Sequence, residues 1–169
     1  MTNTFKYILV ATIAILSLVL IADRFLSSPK ATSHAAVPLP EEVVTGPLAG
    51  KQLRFDGYYR HTIGDLIYLI RFFPEGRVVS VNGTKDVEKD LPKYLVRGTR
   101  GNPGLGLYNV PVSVDGDSIV FVTRPEKGEI EYRGTATSSS MVRFVRHSHI
   151  TGTKQLMEYI FYPDPTASQ

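Results

Sequence analysis

The chain of 169 residues contains no cysteine. This absence excludes disulfide bonds, thiolate metal sites, cysteine nucleophiles and lipid attachment to an N-terminal cysteine. The chain also lacks a run of basic residues, since its 19 lysines and arginines are interspersed with 16 acidic residues and leave a net charge of +3. So mild and scattered an excess is not the charge pattern of a nucleic-acid-binding protein. We therefore expect no nucleic-acid partner.

The sequence shows no catalytic motif. The Gly-x-Ser-x-Gly turn of many hydrolases is absent, and the glycine-rich stretch 100–106 has neither phosphate-binding spacing. Glu129 and Glu131 can share one face of a strand, but an outward charged face is the usual reason for such a pair. Asp115 and Asp117 flank a glycine, as aspartates of tight turns do. We predict no catalytic residue, no cofactor and no enzymatic activity.

An apolar run, Tyr7 to Ala22, stands near the start of the sequence. As a helix it covers about 24 Å, which is less than the roughly 30 Å of a bilayer core, but Lys6 and Arg24 can extend the span by snorkelling. Signal peptidase needs small residues soon after such a run, and residues 23–26 are poorly suited. We predict a single-pass membrane anchor with the C-terminal domain outside the cytoplasm. The alternative is a cleaved signal peptide, which leaves a secreted or periplasmic protein.

The stretch after this run is rich in proline, alanine and serine, and it therefore resists helix and sheet alike. We interpret it as an extended tether between a membrane and a folded domain. The predicted organisation is a membrane anchor or signal segment at 1–26, the tether at 27–50, a β domain at 51–163 and a disordered tail at 164–169.

From Leu53 onward, short apolar runs alternate with turn signals, which is typical of strands joined by tight turns. The predicted strands are 54–60, 65–73, 77–81, 107–114, 118–123, 130–137, 141–149 and 154–162. Apolar residues in 84–98 have near-helical spacing, but Pro92 limits any helix to a turn or two. Pro111 indicates that its strand lies at an edge or carries a bulge.

About eight short strands with one helical excursion predict a mainly β fold, and a small up-and-down barrel in particular, because closure removes unpaired edges. A two-sheet β-sandwich is the alternative. Fourteen aromatic residues lie between Phe55 and Tyr162. That number can fill such a barrel, which argues against a large ligand cavity.

Three stretches, "DGYYR", "YLIRFFPEGRVVSV" and "RHSHITG", resemble a pattern in short bacterial lipocalin-like proteins, most of which have no assigned function. The resemblance spans residues from Phe55 to Phe161. It implies a small lipocalin-like barrel, and it carries over no catalytic residue.

His147 and His149 are two residues apart, so on a strand both side chains could reach one metal ion. Zinc needs a third and usually a fourth ligand, and His61 is the only other histidine after the tether. Carboxylates that could complete the site are Glu131, Asp65 and Glu158. A regular strand would put Arg143 on the same face, where its charge disfavours a cation. We predict no metal, and we interpret the pair as the structural end of a hairpin.

Two functions from different classes follow from these observations. The favoured one is a membrane-tethered, non-enzymatic β domain that binds a protein, an envelope component or a small apolar ligand. The alternative is a metal-dependent hydrolase that uses the cluster of His61, His147 and His149.

Overall fold

The structure is a computed structural model, and it describes residues 45–164. Within these residues there are nine β-strands, a 3₁₀-helix of ten residues and a second, three-residue 3₁₀ segment. The strands are β1 (Gly57–Ile63), β2 (Leu66–Phe73), β3 (Arg77–Thr84), β4 (Leu107–Pro111), β5 (Ser113–Asp115), β6 (Ser118–Thr123), β7 (Ile130–Ser138), β8 (Met141–Ser148) and β9 (Lys154–Pro163). The long 3₁₀-helix, Lys85–Tyr94, follows β3, and the short one, Pro103–Leu105, precedes β4.

The nine strands belong to one antiparallel sheet with the order β4-β3-β2-β1-β9-β8-β7-β6-β5. The first strand pairs with the last, so the sheet curls round on itself. β4 and β5 lie at the two ends of this order, yet only Val112 separates them in the chain. The chain therefore draws the two ends together, and the barrel is nearly closed. A mainly β barrel is confirmed, and the described strands do not form the alternative two-sheet sandwich.

The described residues form nine strands where the sequence predicts about eight, because the strand expected at 107–114 is divided into β4 and β5. β4 ends at Pro111, which has no backbone N–H to donate to a ladder. The N–H of the next residue, Val112, donates to the carbonyl oxygen of Gly76 at 2.8 Å. β5 then pairs with β6 instead of β3. The expectation that Pro111 belongs to an edge strand is confirmed, since β4 ends the sheet order.

The barrel interior is packed with aromatic rings from alternate strand positions. Phe121 stacks on Tyr132 with ring centroids 4.5 Å apart, and Phe144 meets Phe121 edge to face at 5.4 Å. Tyr59 is completely buried, whereas Tyr58 is only half-buried. As neighbours on one strand, the two tyrosines point to opposite faces of the sheet.

A second apolar cluster lies on the outside of the barrel wall, beneath the 3₁₀-helix. Ile67 and Leu69 point outward from β2, which is apolar on both faces, and Leu91 and Leu95 pack against them. The helix is longer than the predicted turn or two and continues past Pro92. Burial of Leu91 and Leu95 against the sheet stabilises this longer segment, since tertiary packing supplies most helical stability in proteins.

The chain enters the barrel at one end, here called the closed end, where the turns 74–76 and 138–140 lie. Leu48 is wholly buried there (0% exposed) and packs in the interior cluster with Leu53. Its N–H donates to the carbonyl oxygen of Pro74 at 3.4 Å. Packing therefore begins before Lys51, the residue at which the sequence predicts the domain to start. A lone leucine among prolines and glycines has no periodicity that would mark it as core.

Candidate functional site

The opposite end of the barrel contains a cavity of about 320 Å³. This open end is formed by the turns 64–65, 124–129 and 149–153. Its lining includes four tyrosines, a threonine and an arginine: Tyr68, Tyr108, Tyr132, Tyr159, Thr123 and Arg146. The sequence argues against a large ligand cavity, and aromatic rings fill the closed half of the barrel. The volume is at the small end of the range for ligand sites.

Strand alternation points Arg146 into this cavity. Val142 and Phe144 of β8 are wholly buried, and Arg146 follows on the same face of the strand. Tyr132 of β7 lies directly opposite Arg146 in the ladder. Arg146 is half-buried there, and taking a charge even partly out of water is costly unless the charge is paired.

No carboxylate inside the cavity balances Arg146. None of the described residues that line the cavity is an aspartate or glutamate, and Arg146 forms no ion pair within residues 45–164. The Tyr132 hydroxyl lies close enough to the guanidinium for the positive charge of Arg146 to act on the pKa of that hydroxyl. Burial raises the pKa of the Tyr108, Tyr132 and Tyr159 hydroxyls, and the charge of Arg146 opposes this only in part. These hydroxyls are therefore neutral at physiological pH, and the cavity carries one positive charge.

Two buried polar atoms at the cavity have no hydrogen-bond partner among the described residues. They are Oγ1 of Thr123 and Nε of Arg146. Thr123 is only 1% exposed. Roughly 90% or more of buried polar groups in proteins are hydrogen-bonded, so a polar ligand group would supply what these two atoms lack.

The three histidines proposed as metal ligands are not brought together. His61 points inward from β1, and its Nδ1 lies 2.7 Å from the carbonyl oxygen of Glu158. His147 lies on the outer side of β8, with its ring centroid 4.2 Å from that of His149 in the following turn. Within residues 45–164, no group of three or more His, Cys, Asp or Glu side chains could hold a metal ion. The histidine-based hydrolase therefore has no assembled centre in this part of the chain.

The carboxylates considered as further metal ligands also lie apart. Glu131 is opposite His147 in the β7–β8 ladder. Glu158 pairs with Arg143 at 2.6 Å, and Asp65 pairs with Lys85 at 3.2 Å.

The pKa of His147 is lowered by partial burial first and by the charges of His149 and Lys154 next, while the charge of Glu131 opposes this lowering.

The carboxylate pair Glu129 and Glu131, and the turn residues Asp115 and Asp117, are members of surface ion pairs. The contacts are Glu129–Arg124 at 2.7 Å, Glu131–Arg133 at 3.4 Å, Asp115–Arg133 at 3.2 Å and Asp117–Lys51 at 3.6 Å. Because each carboxylate has a cationic neighbour and contact with solvent, these groups form the solvated charged surface that the sequence predicts.

A second depression, of about 450 Å³, lies on the outer surface between β1 and β9. The ladder between these strands ends at the pair Arg60–Ile160, although both strands continue. Leu156, Ile160 and Tyr162 line the depression and are 56%, 47% and 42% exposed. It is therefore a groove in which exposed apolar side chains of β9 lie beside polar and charged residues, Arg60, His61, Thr62 and Glu158, and it is more open to solvent than the cavity.

The sequence prediction missed Arg146 and the tyrosines around it. One signal was available, because Arg143 and Arg146 are three residues apart on a strand and must face opposite sides. With Val142 and Phe144 inward, Arg146 had to be the inward arginine. The four tyrosines that surround Arg146 come from other strands. Their positions depend on how the strands pair around the barrel, which no local sequence pattern predicts.

No protein-family model, curated protein or solved structure matches this chain. The predicted membrane segment, Tyr7 to Ala22, lies outside the described residues. Within residues 45–164, no helix has both the length and the apolar character needed to cross a membrane.

Proposed function

We propose that this protein is a membrane-tethered, non-enzymatic binding barrel outside the cytoplasm, which holds a small ligand in its open-end cavity. The observation that carries the proposal is the cavity itself, with tyrosine walls and two buried polar atoms without partners. Ligand sites are typically concave and mostly apolar, with a few polar groups that orient the ligand. A small ligand is also in keeping with the resemblance to lipocalin-like proteins.

The location is supported by the apolar run Tyr7 to Ala22 and by the poor cleavage positions that follow it. Fractionation of cells that express the full chain, followed by protease treatment from outside the cytoplasm, tests it. We expect an intact chain in the membrane fraction whose C-terminal domain is cut. An intact chain in the cytosolic fraction would contradict the proposal, and a shortened soluble chain outside the cytoplasm would favour the cleaved-signal alternative.

Binding is tested by filling the cavity. Ser80 lines it, opposite Tyr108 in the β3–β4 ladder. Ser80→Phe would place a ring inside, whereas Ser113→Phe adds the same ring at an exposed position on β5. Both variants of the full chain in nanodiscs would be compared by saturation-transfer NMR with a set of small fragments, with empty nanodiscs subtracted. We expect Ser113→Phe to bind like the wild type and Ser80→Phe to lose binding. Equal binding by all three, or none by the wild type, would refute the cavity as the site.

A protein partner is the second candidate, and the observation that favours it is the groove between β1 and β9, where Leu156, Ile160 and Tyr162 are exposed. A photo-crosslinking amino acid at Leu156 in the groove, compared with one at exposed Glu126, tests this in cells. Discrete crosslinks from position 156 alone would favour a protein partner. Equal labelling from both positions would remove the reason to prefer the groove.

A further inference from the structure

The charge of Arg146 limits what the open-end cavity can hold. The cavity has one cation, no described acidic lining residue and neutral tyrosine hydroxyls. A buried charge is stable when an opposite charge or several hydrogen bonds compensate it. Among residues 45–164, Nε of Arg146 has no hydrogen-bond partner. An anion in the cavity would complete this compensation, and an apolar neutral ligand would not.

We propose that the cavity binds a small organic carboxylate, whose carboxylate group pairs with Arg146 while its apolar body lies between the tyrosine rings. This inference rests on the proposed function and names the class of ligand for the same site. Arginine matches a planar carboxylate with two parallel hydrogen bonds. The hydroxyl of Thr123, which is buried and has no hydrogen-bond partner in the described part of the chain, is a further donor inside the same cavity.

The number of charges favours a carboxylate over a phosphate. A phosphate group carries between one and two negative charges near neutral pH, and among the described lining residues Arg146 is the only cation.

The volume of the cavity limits the size of the ligand. With about 30 Å³ for each water-sized group, the cavity of about 320 Å³ holds on the order of ten non-hydrogen atoms.

The chain offers a matched pair of substitutions. Arg146→Gln removes the charge in the cavity. Arg143→Gln removes the same charge three residues away on the outer face of β8, where Arg143 pairs with Glu158. Arg146→Lys keeps the charge but loses the planar fork. The melting temperature of each variant shows whether it remains folded.

The experiment uses the full chain in nanodiscs and two pairs of probes, benzoate with benzamide and hexanoate with hexanamide. Each amide has nearly the shape of its acid and no charge. Titrations by ligand-observed NMR give the dissociation constants. For the wild type, we expect the acid to bind at least ten times more tightly than its amide. Loss of charge-assisted hydrogen bonds should weaken acid binding by roughly tenfold to hundredfold in Arg146→Gln, less in Arg146→Lys, and not at all in Arg143→Gln.

The outcomes separate this inference from the proposed function. Acid and amide that bind equally well, and equally to Arg146→Gln, would overturn the carboxylate inference and leave a small-ligand cavity in place. If acetate or chloride competes as strongly as hexanoate, the cavity is a simple anion site. That result would contradict the claim that the apolar part of the ligand lies between the tyrosine rings. No binding of acid or amide to the folded wild type would overturn both. The wild-type comparison of acid with amide decides the matter even where Arg146→Gln does not fold.

Discussion

Leu48 provides the sharpest test of the packing at the closed end. The side chain is completely buried among the interior cluster, although it lies in a stretch that has the composition of a tether. Truncation of a buried leucine to alanine costs about 2–5 kcal/mol, through lost transfer energy and the cavity that remains. We expect Leu48→Ala to lower the free energy of unfolding by about 3 kcal/mol, which for a domain of this size is a fall of roughly 10–15 °C in melting temperature. Leu105→Ala is the matched control, since Leu105 is 68% exposed and should change stability by less than about 0.5 kcal/mol.

Two truncations extend this test, one without residues 1–44 and one without residues 1–50. They differ only in the six residues that include Leu48, so a difference between their melting temperatures belongs to that segment. We expect the longer truncation to be the less stable by at least the cost of Leu48→Ala. Thermal denaturation followed by circular dichroism measures both comparisons. Equal stability of the two truncations, or a Leu48→Ala variant as stable as Leu105→Ala, would refute the packing of Leu48.

Three further predictions concern the outer surface. Addition of zinc should change the melting temperature of the wild type by no more than a degree or two, and by no more than it changes that of the His147→Ala/His149→Ala variant, whereas a true site with free zinc at 100 times its dissociation constant would add about 2.7 kcal/mol. The pKa of His147, which partial burial and then His149 hold below the usual range, should rise in His149→Ala because a neighbouring positive charge is removed; an NMR titration of the imidazole protons that shows no rise would contradict the assigned cause. Leu91→Ala should cost about 2–4 kcal/mol in urea denaturation and Val87→Ala, on the same helix, less than about 1 kcal/mol, because Leu91 is 5% and Val87 39% exposed; similar costs would contradict the packing of the helix on the barrel.

Local patterns were sufficient to predict the strands and the barrel. The apolar residues on both faces of β2 indicate a covered central strand, and the structure covers its outer face with the 3₁₀-helix. The sequence indicates that Pro111 lies in an edge strand or at a bulge, but it does not indicate that Pro111 divides the strand in two. Whether the chain resumes pairing after a proline depends on which neighbour is within reach, and here β5 pairs with β6.

The candidate site depends on contacts that no local pattern contains. Arg146 faces inward by alternation alone, but the lack of a carboxylate near it follows from the register of seven strands around the cavity. The histidines show the converse. The spacing of two residues correctly predicts that His147 and His149 lie together, since their ring centroids are 4.2 Å apart. The same spacing contains no information on His61, which lies on the inner side of the barrel wall.

The central claim is that a small ligand binds inside the open end of the barrel, and an isoleucine-methyl NMR spectrum of the full chain in nanodiscs tests it most directly. Ile70 and Ile130 line the cavity, whereas Ile67 lies under the 3₁₀-helix and Ile160 lines the outer groove. On addition of benzoate, we predict that the methyl signals of Ile70 and Ile130 shift in a saturable manner while those of Ile67 and Ile160 stay in place. A saturable shift of Ile160 without Ile70 and Ile130, or no shift of any of the four, would contradict the claim.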